Sequence, residues 1–223
     1  MKHILFIVTE DWYFISHRLH MAISAIEKGY KVTLLTKVSD YQNVIESSGI
    51  KVVDWNLNRS GLNIISEIKS IYSILSLIKE TKPDIVHAVA LKPIIYSSLI
   101  SGITSTKNRI LALGGLGYIF SSNKPLARLI RPLLIVILRL LFKSPKVRLI
   151  LQNEDDKALL LNYKIIKSTK VVLIRGAGVN TNEYRPNVSV KKVPVVILPA
   201  RMLWDKGVSE FVDCAMKFKE NGS

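Results

Sequence analysis

Two hydrophobic periods alternate along most of this chain, and that alternation limits its fold more than any other feature. Short, unbroken apolar runs of strand length stand at HILFIV (3–8), KVTLLT (31–36), IKVVDW (50–55), DIVHAV (84–89), NRILAL (108–113), VRLILQ (147–152) and TKVVLIR (169–175). Between them lie stretches in which apolar residues return every three or four positions, such as SHRLHMAISAIEKG, NIISEIKSIYSILSLIKE, KPIIYSSLIS and EDDKALLLNY, with a short polar helix before residue 50. Strands without polar alternation must be buried on both faces. The pattern therefore predicts an α/β protein, a Rossmann-like doubly wound parallel sheet with helices on both sides. Gly29 and Gly49 each follow a helical stretch and precede a strand, as helix C-terminal caps do.

Near the C-terminus the pattern breaks. Residues 187–192 lack apolar periodicity and read as a linker, so 1–186 forms one domain and 193–223 begins a second βα unit. One strand and one helix cannot bury two sheet faces, which predicts that the natural protein continues or that another chain completes this unit. Lys and Arg number 32 against 17 Asp and Glu, a formal charge of +15, so the expected partners are anionic. The single cysteine, Cys214, excludes an intramolecular disulfide and fits a reducing compartment. Helical spacing makes it a buried small apolar residue. The N-terminal apolar run ends at Glu10 and Asp11 with no cleavage site, and no apolar stretch is long enough to span a bilayer.

Open α/β sheets bind ligands beyond the C-terminal ends of their strands. After the first strand, TEDWYFISHR reads as a loop without glycine, which argues against a dinucleotide site. It places Glu10, Asp11, Tyr13, His17 and Arg18 at that edge, either facing a cleft or packing as a plug. After the fifth strand, LGGLG puts Gly114, Gly115 and Gly117 where backbone amides can approach a ligand, or where a turn is simply needed. Residues 124–143 form a basic amphipathic helix or helix pair, with Pro132 as a kink or first-turn residue. On a helical wheel Lys124, Arg128, Arg131, Arg139 and Lys143 share an arc of roughly 120°. The remaining apolar arc is wider than one sheet requires. It predicts contact with an anionic membrane surface, the other reading being a core helix with a solvated basic edge. Past the linker, Arg201 and Lys206 lie five residues apart in the strand-to-helix loop LPARMLWDKG. With Gly207 they form a diphosphate site beside a helix N-terminus.

Taken together, EDWYFISHR, KPDIVHAVALKP, LALGGLGYIF, LQNEDD, RGAGVNTNEYRP and ARMLWDKGVSEFVDCA resemble glycosyltransferase family 4, the retaining enzymes of the glycosyltransferase-B fold, over essentially the whole chain. EDWYFISHR with GGLGYIF looks like the subgroup that elongates polyprenyl-diphosphate-linked oligosaccharides. The resemblance implies the N-terminal, acceptor-binding half of that fold plus the first βα unit of the donor domain. It also implies no cofactor and no metal, with a nucleotide sugar such as a UDP-sugar as donor substrate, its diphosphate held by Arg201 and Lys206 and the leaving charge stabilised there. Gly114, Gly115 and Gly117 match the acceptor-side loop. The chain ends before the family's paired-glutamate motif. A second histidine two places after His87 is replaced by Val89, which leaves the catalytic histidine unassigned, with His17 as candidate and His87 equally a core residue.

The expected function is transfer of a hexose or N-acetylhexosamine to a lipid-linked saccharide by a peripheral enzyme at the inner face of the cytoplasmic membrane, with full activity absent from these 223 residues alone. Two rivals remain. One is a non-catalytic acceptor subunit that recruits a separate donor-domain chain, and the other is a nucleotide-sugar epimerase of the same fold. Nucleic acid is not an expected partner, because the basic residues interleave with leucine more than with stacking aromatics.

Overall fold

The computed structural model describes residues 1–57, 63–104, 106, 108–116, 120, 122, 124–182, 184–186, 195–200, 202 and 204–220. They fall into two compact units, Met1–Gly178 and Val179–Ser223.

In the first unit every expected strand forms: β1 (His3–Glu10), β2 (Lys31–Lys37), β3 (Lys51–Asp54), β4 (Ile85–Val89), β5 (Asn108–Leu113), β6 (Val147–Leu151) and β7 (Val171–Leu173). They make one seven-stranded sheet in the order β3-β2-β1-β4-β5-β6-β7, with every neighbouring pair parallel. Burial explains the unbroken runs. Successive residues of a strand point to opposite faces. Leu5 and Ile7 pack on one side with Leu35, Ala88 and Leu149. Phe6 and Val8 pack on the other with Leu34, Val89 and Ala112.

The helices between strands are α1 (Asp11–His17), α2 (Leu19–Glu27), α3 (Gln42–Ser47), α4 (Ile64–Thr81), α5 (Leu91–Leu99), α6 (Pro125–Leu141) and α7 (Glu154–Asn162). Gly29 and Gly49 adopt φ of +82° and +81° where α2 and α3 hand over to strands, as expected of C-terminal caps. Residues 11–17, read from sequence as loop, are helical. Fewer than two turns long, this helix shows no period, yet Phe14 is fully buried edge-to-face against Phe6 at 5.6 Å. Residues 125–141 form a single helix with Pro125 in its first turn, and the helix runs on through an exposed Pro132.

The chain crosses from β3 on one side of β1 to β4 on the other, so the C-terminal ends of β1 and β4 form the topological switch point, where open parallel sheets place their ligand crevice.

The second unit contains a turn at Trp204–Lys206 and α8 (Val208–Glu220). The expected linker, 187–192, lies outside the described residues. Residues 195–199, expected as a strand, have no strand pairing, and Val195, Val196 and Ile197 are exposed. A strand exists only against a neighbour, and among the described residues this unit offers none. For the same reason α8 has no buried residue, and Cys214, expected to be buried, is exposed.

Candidate functional site

At the crevice, β1 and β4 run in register with Phe6 beside His87 and Ile7 beside Ala88. The His87 ring is 2% exposed and tilts against Phe6 at 5.1 Å, its Nε2 without a hydrogen-bond partner. Burial, and then the nearby Arg18 charge, push its pKa down to about 3, so the imidazole is neutral.

Arg18 sits between α1 and α2, where its amide donates to the Phe14 carbonyl and closes α1. The side chain is 6% exposed. One terminal nitrogen donates to the His17 carbonyl at 2.8 Å, and Nε has no partner. No ion pair to Arg18 occurs among the described residues. Burial lowers its pKa, although a guanidinium stays charged throughout the physiological range. A buried cation without a counter-charge costs several kcal/mol. The fold thus holds positive charge at the crevice that no carboxylate among the described residues pairs with.

Tyr13 and His17, one helical turn apart, stack face to face at 4.1 Å, and His17 Nδ1 lies 2.6 Å from the Ser16 hydroxyl. Gly114, at the end of β5, explains itself by contact: a Cβ there would stand 3.4 Å from the Tyr13 hydroxyl and 3.7 Å from Gln152 Oε1. α1, β5 and the residue after β6 converge here so closely that a methyl would fit and a larger side chain would not. Gly115 is exposed with open space around it, and Gly117 lies outside the described residues.

Asp11 is placed differently from its neighbours. Fully buried, its carboxylate accepts from the Ser39 hydroxyl and amide at 2.6 Å each, from the Trp12 amide at 2.7 Å and from the Tyr41 amide at 3.3 Å. Burial alone would raise its pKa, but these donors outweigh it and hold the group below the usual carboxylate value. Asp11 therefore latches the 39–41 segment to the crevice rim and keeps no oxygen free of a donor. Glu10 ends β1 half-buried, opposite Lys37 of β2.

Three crevice features escaped the sequence reading. Gln152 follows β6 directly and reaches Gly114. Ser39 supplies the latch to Asp11. Ala90, just past β4, holds φ 79° and ψ 163° while its amide donates to the Ala112 carbonyl. That conformation is strained for any residue but glycine, and an alanine in sequence gives no sign of it.

The expected donor-side residues lie in the second unit. Arg201 is outside the described residues. Lys206 is exposed and ends the turn before α8, and Gly207 takes φ +69° as its carbonyl accepts from the Phe211 amide. A concavity of about 470 Å³ beside it includes the exposed Met202 and Trp204.

On α6, Ala127, Leu134, Ile135 and Leu138 face the core, and Leu126, Leu129, Leu133, Val136 and Leu140 form an exposed stripe spaced by three and four residues. The expected membrane-facing cations divide. Lys124, Arg128, Arg139 and Lys143 are exposed and Arg131 is half-buried; Arg131 donates to the Ser122 carbonyl, and Arg139 donates to the Tyr163 carbonyl at the end of α7. No helix among the described residues is long and apolar enough to cross a membrane.

Residues 3–154 match the family model described as glycosyl transferase 4-like. The chain is 24% identical over 206 residues to the N,N'-diacetylbacillosaminyl-diphospho-undecaprenol alpha-1,3-N-acetylgalactosaminyltransferase of Campylobacter jejuni, covering 86% of this chain and 54% of that one. Among solved structures, a glycosyltransferase from Rickettsia africae aligns with TM-score 0.69 at 20% identity, over 98% of this chain and 58% of that chain. Sucrose-phosphate synthase from Thermosynechococcus elongatus aligns with TM-score 0.63 at 13% identity, over 84% of this chain and 51% of that chain. These structural likenesses establish the fold. The chain spans about half the length of the relatives it matches.

Proposed function

The chain belongs to the glycosyl transferase 4-like family, and from that premise we propose that it is the acceptor-binding half of a retaining glycosyltransferase that moves a hexose or N-acetylhexosamine from a nucleotide sugar to a polyprenyl-diphosphate-linked saccharide. The observation that carries this reading is Arg18, buried at the crevice with no acidic partner among the described residues. An acceptor whose lipid and sugar flank a diphosphate supplies the missing charge. Charge-assisted hydrogen bonds to such an anion are about twice as strong as neutral ones. The C. jejuni relative is named for a diphospho-undecaprenol acceptor.

On this reading Tyr13 and His17 offer a stacked aromatic wall to the acceptor saccharide, and Gly114 and Gly115 leave the facing wall open at the backbone. Residues 1–186 form the acceptor domain and 193–223 the start of the donor domain. There Lys206, with Arg201 and the α8 N-terminus, neutralises the nucleotide diphosphate as it departs. The exposed stripe of α6 lies against an anionic membrane, at the inner face where nucleotide sugars are available. Arg131 and Arg139 hold the helix in place, and Lys124, Arg128 and Lys143 meet the lipid phosphates.

The test is binding of a short-chain polyprenyl-diphosphate saccharide to the 223-residue chain, followed through the fluorescence of Trp12, which is exposed at the crevice. Saturable quenching is expected, with roughly tenfold weaker binding for Arg18→Gln. A ligand that fails to bind, or that binds the variant equally well, contradicts the reading.

A further inference from the structure

A second cationic site lies at the opposite edge of the same sheet. Where α6 ends and the chain enters β6, and where α7 ends and the chain enters β7, the two connections enclose a concavity of about 660 Å³ whose lining includes Arg139, Lys143, Lys164, Lys167 and Lys170. Two of these cations are structural. Arg139 donates to the Tyr163 carbonyl, and Lys170 Nζ donates to the carbonyls of Phe142, Lys143 and Ser144, closing the C-terminus of α6. The ammonium groups of Lys143, Lys164 and Lys167 have no hydrogen-bond or ion-pair partner among the described residues. Behind them Arg109, near the start of β5, is 5% exposed with one terminal nitrogen unpartnered. Neither 121–153 nor 157–182 contains an acidic residue, so the sequence supplies no local counter-charge. The cations also crowd one another: burial, then Lys167, Arg148 and Arg109, lower the pKa of Lys170.

We propose that this concavity binds the phosphate headgroup of an anionic phospholipid, with acyl chains lying along the exposed leucine stripe of α6. The stripe runs to Leu140, next to Arg139 of the concavity wall, so one helix presents both the apolar and the cationic contacts. Phe142 is the aromatic residue of the lining, and it is 1% exposed, so no ring is available for a base to stack on and a polynucleotide fits poorly. The inference rests on the membrane reading above. It adds a defined headgroup site to diffuse surface charge.

Cosedimentation of the full chain with phosphatidylcholine vesicles, with and without phosphatidylglycerol, tests it. Binding that requires phosphatidylglycerol and weakens with added salt is expected. Lys164→Glu with Lys167→Glu should weaken it roughly thirtyfold or more, since each cation near an anionic surface contributes about fivefold. Lys28→Glu with Lys79→Glu makes the same charge change at exposed positions elsewhere and should weaken binding less than about threefold. The neutral pair Lys164→Gln with Lys167→Gln should show the same direction with a smaller loss. Lys164 and Lys167 are both exposed, so melting curves stay unchanged. Unaltered binding in either pocket pair, or an equal loss in the control pair, overturns the headgroup site. If Leu129→Ser with Leu133→Ser abolishes binding and the pocket pairs do not, the membrane reading stands and the headgroup site falls.

Discussion

Arg18 and His87 show how much a residue's role depends on what the fold packs around it. In sequence, Arg18 is one of many cations in a basic chain and His87 one of four histidines. Buried together, they become a charge with no counter-charge among the described residues and an imidazole held neutral. His87 carries a pH signature. Unfolded it titrates near 6.5, and burial lowers this to about 3 in the fold. Between those values the unfolded state binds a proton that the native state does not. Its contribution is therefore complete above pH 6.5 and is lost as pH falls toward 3, with a slope of up to about 1.4 kcal/mol per pH unit. Asp11, with its lowered pKa, acts in the same direction once pH reaches the carboxylate range. Melting of wild type and His87→Phe across this range should show the variant's curve to be flatter, and parallel curves would contradict the assignment. Ala90→Gly should relieve the strain past β4 and raise stability by about 1 kcal/mol, a rise in Tm of about 2–4 °C in calorimetry. At Gly114 the 3.4 Å approach of Tyr13 leaves room for a methyl and little more. Gly114→Ala should keep acceptor affinity, and Gly114→Val should lose it in the same fluorescence titration.

At the scale of elements, the strands were legible because burial on both faces leaves no polar alternation, and the long helices were legible because each has one apolar face. α1 was not legible, since seven residues carry too little period and its evidence is the tertiary contact of Phe14 with Phe6. The strand expected near 195–199 has the composition of a strand but no neighbour among the described residues, and β structure needs both. The crevice was half legible. Tyr13, His17, Arg18 and Gly114 converge where strand order says a ligand site belongs, but the latch from Ser39 to Asp11, the strained Ala90 and the reach of Gln152 depend on contacts far apart in sequence. On α6 the wheel revealed an excess of leucine, and the structure shows which leucines face outward. Leu129→Ser with Leu133→Ser, at positions 78% and 63% exposed, should leave the melting temperature unchanged. The same pair should abolish cosedimentation with anionic vesicles.

The first unit is a seven-stranded parallel sheet with the candidate site at the C-terminal ends of its strands and a cationic concavity at the opposite edge; the second unit carries Lys206 just before α8. The chain belongs to the glycosyl transferase 4-like family, and the proposal of a charged acceptor rests on the buried Arg18. The most direct measurement is a binding cycle by calorimetry. It compares a polyprenyl-diphosphate saccharide with an uncharged polyprenyl glycoside on wild type and on Arg18→Gln. Wild type should prefer the diphosphate by roughly tenfold or more, and the variant should have lost the preference. An equal preference in both proteins would contradict the proposal.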